Sequence, residues 1–136
     1  MKIEELIEKA SSVISNGKSG DSYWGGVGCA LETLEGDVYT GVCLDTNSSM
    51  GFCAEHNAIG SILTDKKEPK IKSVVAVWKD ENGDVYVIPP CGRCRELMIQ
   101  LDPINEETDV CLDKDKLVKL KELLPYSYKD NFNKIT

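Results

Sequence analysis

The sequence predicts a layered α/β domain: a mixed five-stranded sheet with helices on both faces. Three observations carry this. Helical and strand-like segments alternate along the chain in the order helix, two strands, helix, two strands, helix, strand, helix. The first two strands are joined by a short Gly-containing turn and must be antiparallel, whereas strands separated by a helix can be parallel. The 136 residues, 41% of them hydrophobic, suit one core of ordinary size, so residues 1–136 are read as a single domain.

Each element has a local cause. Ile3, Leu6, Ile7, Ala10, Val13 and Ile14 recur at helical spacing, and Asn16-Gly17 ends the run, which predicts a helix over Lys2 to Ser15. Asp21 to Gly26 is loop-like in composition. Val27 to Leu34 and Val38 to Leu44 read as a hairpin turning at Glu35-Gly36-Asp37. Helical spacing returns from Cys53 to Leu63. Ile71 to Trp78 is a Val-rich strand, and Asn82-Gly83 turns it into Val85 to Ile88, which Pro89-Pro90 ends. Arg93 to Leu101 is helical in composition and Thr108 to Leu112 is a short strand. Lys114 to Leu124 reads as a last helix, broken by Pro125.

Composition narrows the function. A net charge of -7 argues against nucleic acid as a partner, because phosphate binding needs clustered Lys and Arg. The nearest thing to such a cluster, Lys66, Lys67, Lys70 and Lys72, is interleaved with Asp65, Glu68 and Pro69 and reads as a solvated loop. The first residues lack the apolar stretch of a signal peptide, and no apolar run reaches the 18 residues of a membrane span, so the expected location is the cytoplasm. Disulfides rarely persist there, and six cysteines then point first to metal ligation.

Two segments hold the chemistry, Cys53-Ala54-Glu55 and Pro90-Cys91-Gly92-Arg93-Cys94. Cys91 and Cys94 have the spacing that lets two thiolates at a helix start converge on one ion, and Cys53 begins another predicted helix. Three protein ligands leave a fourth tetrahedral position for water, as catalytic zinc sites do, and water there can have its pKa lowered from about 15.7 toward 7. Glu55, two residues beyond a ligand, can move protons without occupying the metal. Other readings compete with this. Cys91 and Cys94 could form a redox pair, though such pairs need no third cysteine. A closed structural site could take Cys29, Cys43, Cys111 or His56 as a fourth ligand. Cys29 and Cys111 lie in strand patterns and read as buried, inert thiols. His56 follows Glu55 on a helix, so its side chain points about 100° away, a place for packing or hydrogen bonding behind the ligands.

Cys-Ala-Glu followed by Pro-Cys-Gly-x-Cys-Arg resembles the cytidine deaminase superfamily in its three-cysteine form. Val27-Gly28-Cys29-Ala30-Leu31, the segment from Thr40-Gly41-Val42 to Cys53, and Leu123-Leu124-Pro125-Tyr126-Ser127-Tyr128 resemble the branch that acts on free nucleosides. The resemblance implies that branch's α/β/α fold, zinc on Cys53, Cys91 and Cys94, and proton transfer by Glu55. It implies main-chain contacts to the base near Ala54 and Pro89-Pro90, and a homotetramer in which Tyr128 lines a neighbour's pocket. It implies hydrolysis of a cytosine nucleoside to its uracil counterpart with release of ammonia, in pyrimidine salvage. A non-catalytic zinc module, or a deaminase of nucleotides or nucleic-acid bases, are the alternatives.

The chain also departs from that branch. The usual Asn-x-Glu that holds the ribose is Cys43-Leu44-Asp45, and the phenylalanine beside the base is replaced by Gly25 with Trp24 adjacent. These residues are expected to contact substrate in altered form. The arginine that often follows Cys-Ala-Glu is His56, and Arg93, with Arg95, is expected to supply the missing positive charge to the ligand sulfurs. Cys91-Gly92-Arg93-Cys94-Arg95 further resembles the blasticidin-S deaminases, whose substrate is a cytosine nucleoside antibiotic with a modified sugar.

Overall fold

The computed structural model describes residues 1–129 and 131–136. Its centre is β4 (Ile71–Lys79), a Val-rich strand buried over most of its length because it has neighbours on both edges and helices on both faces. One edge pairs antiparallel with β2 (Ser22–Thr33). The other pairs antiparallel with β5 (Val85–Ile88) at its end and parallel with β6 (Asp109–Asp113) near its start. β3 (Val38–Asp45) closes the sheet beyond β2. The mixed sheet is as expected, and β4 with β6 is its parallel pair, joined through a helix as parallel strands must be.

Among the described residues the sheet has seven strands rather than five. β1 (Gly17–Ser19) pairs with Ser22 to Trp24 across a tight turn in which Gly20 takes a positive φ of 58°, so all of the stretch read as a loop except Asp21 is strand. β7 (Lys116–Lys119) pairs with β6, leaving α4 as only Leu120–Leu123. The helical spacing of Lys114 to Leu124 is overridden because a free sheet edge offers the backbone of Lys-Leu-Val-Lys a ladder to join.

Helices cover the two faces. α1 (Ile3–Ser12), shorter than expected at both ends, lays Leu6 and Ala10 against Ala30, Val75, Val77 and Cys111. α2 (Ala54–Thr64) and α3 (Gly92–Leu101) cover the opposite face, where Ala58, Ile59, Ile62, Met98 and Ile99 meet Cys29, Leu31, Val74 and Val110. Cys29 and Cys111 are thus core residues. α2 sits close on β3 because residue 41 is glycine: a side chain there would collide with the backbone of Ala54 and Ala58. A 3₁₀ turn, Pro103–Glu107, brings Asn105 into the core, where Oδ1 accepts from the Ile71 amide at 2.8 Å and Nδ2 donates to the Pro69 and Met98 carbonyls at 2.9 and 2.8 Å. No helix of the described residues is long and apolar enough to cross a membrane.

Candidate metal centre and active site

Cys53 and Cys91 are the residues immediately before α2 and α3, and the fold brings these two helix starts together. Cys53 is delivered by a loop closed at its base, where Leu44 and Phe52 exchange backbone hydrogen bonds of 3.0 and 2.9 Å. Arg93 Nη1 donates to the Gly51 carbonyl at 3.4 Å and ties this loop to α3. Arg95 braces the other side, its Nε donating to the Pro90 carbonyl at 2.8 Å and its Nη1 to the Leu123 carbonyl at 3.0 Å.

The sulfurs of Cys53, Cys91 and Cys94 all lie within 4.8 Å of one another, with Cys53 to Cys91 at 3.3 Å and Cys91 to Cys94 at 3.5 Å. Tetrahedral zinc with bonds of about 2.3 Å separates its sulfur ligands by about 3.8 Å, so the trio fits the ion after small adjustments. Cys29 and Cys111 are buried in the core, and the metal-ligand group formed by the described residues has three members, leaving one tetrahedral position open. Burial foremost, then the contact with Cys91, raises the Cys53 thiol to about 11 against the opposing pull of Cys94, and burial with the Glu55 charge raises Cys94. Burial pushes Cys91 up as well, but hydrogen bonds from the Cys94 and Arg93 backbone and from the neighbouring thiols hold it below its ordinary value. A cation here therefore displaces protons from the sulfurs.

Glu55 is 4% exposed, and burial raises its carboxyl above the usual carboxylate range against the opposing pull of its own backbone amide and Cys94. It opens, with Cys53, Ala54, Cys91 and Pro89, on a cavity of about 560 Å³ whose further walls include Val27, Cys43, Asp45, Thr46 and Trp78. Cys43 accepts from the Val27 amide at 3.4 Å, and its thiol points to Asp45 Oδ2 at 4.0 Å. His56 Nδ1 lies 3.4 Å from the Cys94 sulfur, and burial, then the Arg93 charge, lowers its pKa.

Four of the residues expected at the site, Trp24, Gly25, Pro90 and Arg93, stand elsewhere. Trp24 lies with its indole against Gly17, outside the cavity, because β1 folds back over it. Gly25 takes a φ of 86° and gives up its side-chain space to the backbone of Ser15. Pro90 is buried beside the cavity, which Pro89 lines. Tyr128, expected to line a neighbour's pocket, is 69% exposed, its ring edge-on to Phe132 at 5.2 Å, and does not line its own chain's cavity. Arg93 donates to a loop carbonyl, and it is His56 that meets a ligand sulfur. Trp78 and Thr46 are among the cavity residues that escaped the sequence reading. Trp78 looked like one more strand residue, although it falls where the strand leaves the core. Thr46 carries a buried Oγ1 with no hydrogen-bond partner, which only the loop's path reveals.

Residues 1–106 match the cytidine and deoxycytidylate deaminase zinc-binding region. The chain belongs to this deaminase family. A blasticidin-S deaminase of Bacillus cereus is 31% identical over 135 residues, 93% of this chain and 92% of that one. A cytidine deaminase of Halalkalibacterium halodurans is 31% identical over 106 residues, 75% of this chain and 76% of that one. The crystal structure of a cytidine deaminase from Burkholderia pseudomallei is similar with a TM-score of 0.73 at 27% identity, covering 94% of this chain and all of that one. Together with the three-cysteine centre, these likenesses make the protein a zinc-dependent hydrolytic deaminase.

Proposed function

We propose that the protein converts the cytosine of a free nucleoside to uracil with release of ammonia. The observation that carries this is the opening of buried Glu55, with Cys53 and Cys91, onto one cavity of about 560 Å³ whose wall holds no Lys, Arg or His among the described residues. A wall of that kind is suited to an unphosphorylated pyrimidine nucleoside and offers a phosphate no partner. When bound, zinc supplies the Lewis acidity that makes water a nucleophile near neutral pH.

The chain's own groups do the rest. Glu55, with its raised pKa, accepts a proton from the attacking water, delivers it to N3 of the base, and returns a proton to the departing amine. The water oxygen bonds to C4 as N3 takes the first proton. The second proton then passes from the C4 hydroxyl through Glu55 to the amino nitrogen, and the bond from C4 to that nitrogen breaks as C4 becomes a carbonyl. Asp45 lines the cavity on the β3 side and is suited to a hydroxyl group of the sugar. The exposed pair Tyr128 and Phe132, outside its own cavity, supports a homotetramer in which this tail reaches a neighbour's site.

The test is ultraviolet-monitored deamination of cytidine, deoxycytidine, blasticidin S and cytidine 5′-monophosphate by the zinc-loaded protein. Turnover of at least one unphosphorylated nucleoside, well above that of the monophosphate, is the expected result. Failure on all four with zinc bound would sink the substrate assignment.

A further inference from the structure

Trp78 is the last aromatic residue of β4, 43% exposed, and forms part of the wall that also holds Asp45, Thr46 and Glu55. Strand register places Val27 beside it on β2 and Tyr86 beside it on β5, so all three side chains share the sheet face that carries the cysteine centre. The indole is braced from behind. Its ring and that of Tyr86 lie 5.4 Å apart at 31°, and the Tyr86 hydroxyl donates to Asp80 Oδ2 at 3.1 Å. Asp80 is itself fixed by the Asn82 and Asp84 amides, both at 2.9 Å from Oδ1. A relay of contacts thus runs from the β4–β5 turn to the cavity and holds a large aromatic face in a set position.

The charges around that face all have one sign. The carboxylates in the wall are Asp45 and Glu55, and no basic side chain stands among the described lining residues. An aromatic face presents its negative quadrupole to what lies over it, and with carboxylates nearby it attracts cations and repels phosphate. A reacting base held at Glu55 leaves the outer part of a 560 Å³ cavity for whatever the sugar carries.

We propose that Trp78, braced by Tyr86, is a specificity-determining residue whose indole face packs against the sugar side of the substrate and favours nucleosides bearing a cationic substituent there over neutral and phosphorylated ones. This rests on the deaminase reading given above. It assigns the substrate's appendage, not the chemistry.

The test is steady-state kinetics of the zinc-loaded wild type, Trp78→Ala and Trp78→Phe on cytidine, 5′-amino-5′-deoxycytidine and cytidine 5′-monophosphate. The wild type should have its lowest KM for the amino compound. Trp78→Ala should raise that KM about tenfold, more than for cytidine, with kcat within about twofold, and Trp78→Phe should restore most of the loss. An equal effect on both nucleosides, an effect on kcat alone, or a changed oligomeric state of Trp78→Ala on gel filtration would overturn the assignment. Indole emission in a Trp24→Phe background, where Trp78 is the single tryptophan, provides a readout independent of turnover. It should respond at lower concentration to 5′-amino-5′-deoxyuridine than to uridine, and equal or absent responses refute the subsite. Absence of deamination with a preserved indole response would reject the enzymatic reading while leaving the subsite standing.

Discussion

His56 Nδ1 lies 3.4 Å from the sulfur of Cys94, so the chain's single histidine meets a buried member of the cysteine trio. Three thiolates on a divalent cation carry an excess negative charge, and a donor to one sulfur eases it. His56→Ala should lower zinc affinity about 10- to 100-fold, measured by chelator competition, and His56→Arg, which keeps a donor, should recover part of the loss. Unchanged affinity in His56→Ala would show that the contact is packing only.

Glu55→Gln keeps the size of the side chain and removes the exchangeable proton. Zinc content should stay at the wild-type level while kcat falls by about a hundred- to ten-thousand-fold. Zinc analysis beside the ultraviolet assay separates this from loss of the metal. A variant within tenfold of wild type would exclude Glu55 as the proton carrier, and equal ligand binding without turnover in both proteins would favour a non-catalytic zinc module.

Cys91→Ala removes one of three sulfurs and should abolish tight zinc binding. Wild-type protein treated with a chelator should melt on the order of 10 °C lower, while Cys91→Ala should melt low with or without chelator. A chelator effect of equal size in the variant would place the stabilising metal elsewhere.

Asn105→Ala leaves the Ile71 amide and the Pro69 and Met98 carbonyls without their partner inside the core. It should cost about 3 kcal/mol or more in urea unfolding, because buried polar groups lose hydrogen bonds that water cannot replace. The folded fraction should still bind zinc, since Asn105 touches none of the ligands.

Gly41→Ala pushes α2 away from β3, since the added methyl meets the Ala54 and Ala58 backbone. A loss of about 1–3 kcal/mol is expected, with a fall in kcat, because Glu55 rides on the first turn of that helix. Stability loss with unchanged kcat would mean that α2 re-seats without moving Glu55.

Much of this architecture was legible in the residues. The cysteine trio and Glu55 could be read because metal ligation and proton transfer demand particular atoms at tight spacings, which survive in the linear text. β2 to β6 could be read from their Val-rich runs and Gly or Pro boundaries. β7 could not, because Lys-Leu-Val-Lys has a helix-compatible pattern and only the open edge of β6 decides it. Trp24 and Trp78 show the same limit at the site. Both are aromatic residues beside strands, and which of them enters the cavity depends on the β1 hairpin folding over Trp24 and on the register that sets Trp78 beside Val27. Charge balance points Arg93 toward the ligand sulfurs, whereas its reach is fixed by the Gly51 carbonyl on a neighbouring loop.

Cys53 and Cys91 lie 38 positions apart, and the segment between them contains β4, the strand at the middle of the sheet. An ion held by both acts as a removable crosslink on that segment. By the chain-entropy relation, closing a loop of this length restricts the unfolded chain by about 4 kcal/mol, a large share of the stability of a domain this size. The supply of zinc therefore sets more than the catalytic rate. It governs how often the central strand is released from its neighbours, and with that how long the chain survives between synthesis and proteolysis.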